Sequence, residues 1–178
     1  MKLTLPPQNS DHALGPEKAT VTLLVYADLL CPHSKKAIGW IYGLIKEDKD
    51  LRFIFRHFPL VDLHTYAVFA ALATEASALQ GRFWEYHKLL FTTKEQLSPL
   101  LILRLAKEIN LDTGKLMSAM NKGILLEKVY RDLSSGIDSG VRSTPVFFLN
   151  GVCLEGPLGF DHLLENIRCI RQGKRLSA

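Results

Sequence analysis

From Val21 to Tyr26 the chain reads Val-Thr-Leu-Leu-Val-Tyr, with no charge. A short continuous apolar run rich in β-branched residues predicts a strand buried on both faces. From Ser34 to Glu47 the pattern changes period: Ala37, Ile38, Ile41, Leu44 and Ile45 recur at helical spacing, and Asp48-Lys49-Asp50 closes the segment. Leu51 to His57 (Leu-Arg-Phe-Ile-Phe-Arg-His) alternates partway along and predicts a second strand. Strand, helix, strand in this order makes a βαβ unit with a parallel pair. The residues up to about Lys18 are rich in turn formers and read as an extended lead-in.

Beyond Pro59 the helical period takes over almost completely. The alanine-rich stretch from Tyr66 to Leu79 ends at Gly81, a C-cap signal. Phe83 to Phe91 places Phe83, Trp84, His87 and Leu90 on one face, most simply a core face. Ser98-Pro99 starts a helix, with serine as N-cap and proline at the first helical position. Asp112 opens a further helix to Met120, and Ile124 to Ser139 gives another. Strand character returns at Val146 to Leu149. Asn150-Gly151 is a strong hairpin signal, Val152-Cys153-Leu154 is the returning strand, and Phe160 to Arg171 is a terminal amphipathic helix. The order is βαβ, helices, then ββα, an α/β protein.

Composition adds bounds. The 178 residues suit one core with an insertion. The net charge of +4 comes from interspersed acids and bases, with no basic block interleaved with aromatics, so nucleic acid is not an expected partner. The first ten residues carry no apolar stretch of signal-peptide length, and no later stretch is long and uncharged enough to span a bilayer. The expectation is a cytoplasmic protein with no membrane partner; a processed exported form is the alternative. The sparse, odd set Cys31, Cys153 and Cys169 is no disulfide framework, and no Cys/His spacing fits a metal.

The chemistry sits at Leu30-Cys31-Pro32-His33-Ser34-Lys35-Lys36-Ala37. A cysteine between a buried strand and a helix lies where unpaired N–H groups and the positive end of the macrodipole favour a thiolate. Together with Arg56-His57-Phe58-Pro59-Leu60, the segment from Gln80 to His87, and Gly140-Val141-Arg142-Ser143-Thr144-Pro145-Val146-Phe147-Phe148-Leu149-Asn150-Gly151, this motif makes the chain resemble the DsbA-like thiol–disulfide oxidoreductases over nearly its whole length. The resemblance implies a thioredoxin-like fold with an all-helical insertion: residues 1–61 and 141–178 form the two parts of the thioredoxin-like domain and 62–140 the insertion. It implies Cys31 as nucleophile, with Pro32 and His33 tuning it, and Thr144 before a cis Pro145 as the place where an extended client peptide pairs.

Ser34 departs from that family, which has a second cysteine there. A hydroxyl cannot resolve a mixed disulfide, although it can donate to the Cys31 thiolate. Three origins stay open: a natural monothiol enzyme, a resolving cysteine replaced to trap a state, or a binding protein that has lost turnover. Cys153 and Cys169 sit among apolar neighbours and are not expected to resolve. Lys35 and Lys36 add positive potential near Cys31 or form a solvated face. Asp28 is a proton relay or, more simply, a polar strand end, and His57 and His64 read as structural. The expected activity is thiol–disulfide exchange on client protein or peptide disulfides through Cys31 alone. No cofactor is required, and glutathione is a candidate cosubstrate. The rivals are a non-redox peptide-binding module and a glutathione-transferase-like enzyme.

Overall fold

The computed structural model describes residues 1–156, 159–174 and 176. The chain forms β1 (His12–Leu14), β2 (Val21–Ala27), α1 (Pro32–Glu47), β3 (Leu51–His57), then α2 (Ala67–Ala78), α3 (Phe83–Thr92), α4 (Pro99–Glu108), α5 (Thr113–Met120) and α6 (Gly123–Asp138), and closes with β4 (Val146–Leu149), β5 (Val152–Cys153) and α7 (Phe160–Arg171). The sheet order is β1-β3-β2-β4-β5. β2 and β3 are parallel, pairing Val21 with Leu51 and Ala27 with His57; every other pair is antiparallel. This is the predicted thioredoxin-like α/β architecture, with helices alone between β3 and β4.

The apolar run of β2 is buried on both faces because both are covered. Val21, Leu23 and Val25 point into the larger core with Ala37, Ile38 and Ile41 of α1, Phe83 and Leu90 of α3, and Leu163 and Ile167 of α7. Leu24 and Tyr26 point the other way, against Ile54, Phe58 and Phe148. The inserted helices thus share the core of the sheet. On the second face α6 comes closest at Gly136, where a Cβ would stand 2.7 Å from Phe58 Cδ2 and 3.0 Å from Tyr26 Cδ1. Only a residue without a side chain permits that approach. The hairpin between β4 and β5 turns on Asn150 (φ 46°) and Gly151 (φ 81°), both left-handed as a two-residue type I′ turn requires. Ser98 and Asp112 cap α4 and α5 as their sequence positions predict, accepting from Leu101 N and Lys115 N.

Two features depart from the sequence expectation. The lead-in is not merely extended: His12–Leu14 adds an edge strand beside β3. Its anchor is Arg56, whose side chain is fully buried in β3. All five guanidinium donors are used, on Asp11 Oδ1 and Oδ2 (3.0 and 2.8 Å), Leu5 O, Pro6 O and Tyr26 Oη. Burial opposes the charge, and the bonds to Asp11 and Tyr26 more than offset it, so the Arg56 pKa is raised. A buried charge is tolerable only when paired in this way.

The second departure is a buried polar seam between the sheet and the insertion. Glu75 of α2 accepts from His12 Nε2 at 3.0–3.1 Å. It lies 3.1 Å from His57 Nε2, off the line of a hydrogen bond, and 4.0 Å from Lys128 Nζ. Lys128 of α6 also donates to Asp132, which in turn receives the backbone N–H of His57. Burial would raise the Glu75 pKa, but the paired histidines hold its carboxyl well below the usual range.

Candidate functional site

Cys31 is the N-cap of α1, with extended backbone (φ −70°, ψ 122°), and Pro32 follows at the first helical turn. Proline fits there because its missing N–H would have no helical partner. The cysteine is only 5% exposed. Its Sγ–H donates to the carbonyl of Thr144 at 3.3 Å. The Thr144–Pro145 peptide is cis. The structure therefore brings Cys31 and the Thr144–Pro145 segment together from 113 residues apart in sequence.

The loop ahead of Cys31 is held by the acid that follows β2. Asp28 is 2% exposed. Its Oδ1 accepts from Leu30 N at 2.7 Å, and its Oδ2 accepts from Leu60 N and from His64 Nδ1, both at 2.8 Å. The Asp28 carbonyl receives Cys31 N at 3.2 Å. One buried carboxylate thus fixes the Cys31 loop to the loop after β3. The available signal was a lone acid inside the apolar run Tyr26-Ala27-Asp28-Leu29-Leu30.

Ser34 is fully buried at the third helical position, and its Oγ makes no hydrogen bond. The expected donation to Cys31 is not formed: the thiol gives its proton to Thr144 O, and thiol sulfur is a weak acceptor. Thr144 Oγ1 is likewise buried without a partner. Pro32 and His33 are exposed at the helix start. The two lysines have partners of their own. Lys35 Nζ donates to Thr93 O at 3.4 Å, with its pKa lowered by burial. Lys36 Nζ lies over the Trp40 ring at 5.5 Å.

A groove of about 340 Å³ runs from Pro145 past Val146 and Phe147 to Cys153, Leu154 and Glu155. Cys153 lies in it as a packed thiol whose pKa is raised by burial. Cys169 is half-buried on α7, and none of the three cysteines is in a disulfide. A separate cavity of about 780 Å³ between α4 and α5 is lined by residues such as Leu100, Arg104 and Met117 and includes none of the Cys31 or Pro145 segments. Among the described residues no group of three or more His, Cys, Asp or Glu is placed to hold a metal ion.

A cysteine N-cap facing an X-Pro carbonyl across a β2–β4 pair, on a βαβ…ββα sheet with inserted helices, defines a thioredoxin-fold protein of the DsbA-like architecture. A family model described as Thioredoxin matches residues 8–168, and the chain belongs to that family. A thioredoxin-like oxidoreductase from Silicibacter pomeroyi superposes with a TM-score of 0.85 at 24% identity, over 93% of this chain and 94% of that one. The thiol-disulfide exchange protein alpha-DsbA2 from Wolbachia pipientis superposes with a TM-score of 0.80 at 21% identity, over 90% and 87%. At those identities the likeness is one of fold. In sequence, the chain is 37% identical over 153 residues to a protein named Na(+)/H(+) antiporter NhaA 3 from Salinispora tropica, covering 86% of this chain and 24% of that protein. The chain spans about a quarter of the length of the curated relatives it matches.

Proposed function

We propose that the protein carries out thiol–disulfide exchange through Cys31 alone. The observation that carries this reading is the N-cap thiol set against Thr144 O, with a hydroxyl in place of a second sulfur at Ser34. The Cys31 thiolate attacks one sulfur of a disulfide R–S–S–R′. An S–S bond forms to Cys31, and R′S⁻ leaves. An external thiol then attacks the mixed disulfide, releases R as a new disulfide and returns Cys31. The N–H groups at the start of α1 stabilise the attacking anion.

The substrates in this reading are client protein or peptide disulfides, with glutathione as the external thiol. Once Sγ is bonded to a client it no longer donates to Thr144 O. That carbonyl is then open to a backbone N–H of the client, as in strand addition, and the groove beyond Pro145 takes the flanking side chains. Only sulfur chemistry is needed. No described helix is long and apolar enough to cross a membrane.

The test is incubation of the reduced protein with glutathione disulfide, followed by peptide mass spectrometry. One glutathionyl group on Cys31, released by added glutathione and lost in Cys31→Ala, is the expected result. An unmodified Cys31 that still binds extended peptides would sink the redox reading and leave a non-redox binding module.

A further inference from the structure

Exchange chemistry leaves two groups at the site unused. Ser34 Oγ and Thr144 Oγ1 are both buried, 0% and 7% exposed by residue, and neither has a hydrogen-bond partner. A buried hydroxyl without a partner is unfavourable and asks for an explanation. Both belong to residues that bound Cys31. Ser34 stands at the third helical position after the N-cap Cys31. Thr144 touches Cys31 directly, through its carbonyl at 3.3 Å from Sγ. A sulfur in a disulfide gives hydroxyls little to bond to. An oxygen on that sulfur gives them a strong acceptor.

We propose that Cys31 is also a peroxide-reducing thiol, and that the Ser34 and Thr144 hydroxyls hold its sulfenic acid. The thiolate attacks the terminal oxygen of a hydroperoxide ROOH. The O–O bond breaks, an S–O bond forms, and ROH leaves after taking up a proton. The sulfur loses two electrons and the peroxide gains them. A low-molecular-weight thiol R′SH then attacks the sulfenic sulfur, expels water and forms the mixed disulfide. A second R′SH releases R′SSR′ and restores Cys31. The sum is ROOH + 2 R′SH → ROH + H₂O + R′SSR′. The absence of a sulfur at position 34 is what gives the sulfenic acid a lifetime, because a neighbouring thiol would condense with it at once. The near-complete burial of Cys31 suits a small hydroperoxide.

This inference rests on Cys31 being the nucleophile of the proposed exchange, and the test separates the two. The reduced full-length chain is treated in parallel with hydrogen peroxide plus dimedone and with glutathione disulfide, and the adducts are mapped by mass spectrometry. The expected result is a dimedone adduct on Cys31 and, with glutathione present, consumption of two thiols per peroxide. Ser34→Ala and Thr144→Val, each checked for a native circular-dichroism spectrum, are expected to shorten the sulfenate half-life at least tenfold and to drive Cys31 on to the sulfinic acid. A Cys31 that exchanges with glutathione disulfide but gives no dimedone adduct overturns the peroxide role and leaves exchange standing. A Cys31 inert to both oxidants overturns both. An adduct whose lifetime is unchanged in both variants overturns the part given to the hydroxyls.

Discussion

Asp28 Oδ2 and His64 Nδ1 lie 2.8 Å apart, and the same carboxylate also receives the backbone N–H groups of Leu30 and Leu60. The loop that delivers Cys31 and the loop that follows β3 therefore share one buried anchor. Asp28→Ala leaves three donors without their acceptor in a part-buried region. Each orphaned donor costs about 1–3 kcal/mol, partly relieved by relaxation. We expect a loss of about 2–4 kcal/mol in chemical denaturation, with exchange at Cys31 slowed several-fold even below the melting transition. Unchanged stability would show that water replaces the carboxylate and that the anchor is dispensable.

Glu75 predicts a particular response to acid. Its folded pKa is depressed by His12 and His57, and Lys128 faces it as well. A depressed carboxylate contributes stability that is present above its unfolded pKa and lost as pH falls toward the folded value. The unfolded value is about 4.3, so the contribution fades below about pH 5. Asp132, raised by burial, acts in the opposite direction, so the comparison must be with Glu75→Gln and not with pH alone. Glu75→Gln is expected to be less stable by about 3–5 kcal/mol at pH 7, since an amide replaces a buried carboxylate that accepts from His12 and faces His57 and Lys128. The gap should narrow steadily from pH 5 to pH 3. A gap that stays constant would assign the Glu75 contribution to packing.

Gly136 tests how closely α6 must sit on the second face of the sheet. An added methyl meets the Phe58 ring and then the Tyr26 ring, both in the buried second cluster. Overpacking of this kind costs about 1–3 kcal/mol. Gly136→Ala should therefore lower the melting temperature, by about 2–4 °C per kcal/mol. It should do so despite the better helix propensity of alanine. A raised melting temperature would mean that α6 slides without penalty.

How far the sequence reveals this protein depends on the range of the interaction concerned. The β2 run, the helical period of α1, the Asn150-Gly151 turn and the Ser98 and Asp112 caps are local signals, and they placed those elements within a residue or two. The strand His12–Leu14 carries no period of its own; it forms because Arg56 and Asp11 lock the lead-in against β3. Arg56 itself looked like the polar half of an alternating strand and is instead fully buried. At the site, Cys31 and Thr144-Pro145 were legible through their motifs. The roles of Asp28 and Lys35 were not, because each depends on a partner far along the chain: Leu60 and His64, and Thr93. Nor could the sequence show that Ser34 is buried without a partner, since that requires knowing what surrounds it.

Ser34 is also where the proposed chemistry is most open to direct change. Ser34→Cys places a second sulfur at the third helical position behind the N-cap, the spacing at which a dithiol closes to a disulfide. The mixed disulfide on Cys31 then has an intramolecular attacker, and its lifetime falls from that of an encounter with an external thiol to that of a neighbouring group. Effective molarities for such closures are large. The glutathionyl adduct should no longer accumulate, an internal disulfide lighter by two hydrogens should replace it, and turnover with protein disulfides should rise about tenfold or more. The sulfenic acid should vanish in the same variant, captured as that disulfide. If instead the adduct on Cys31 persisted in Ser34→Cys, the two side chains would not meet as the helix start implies. The explanation of Ser34 as the missing resolver would then fail, whatever Cys31 itself does.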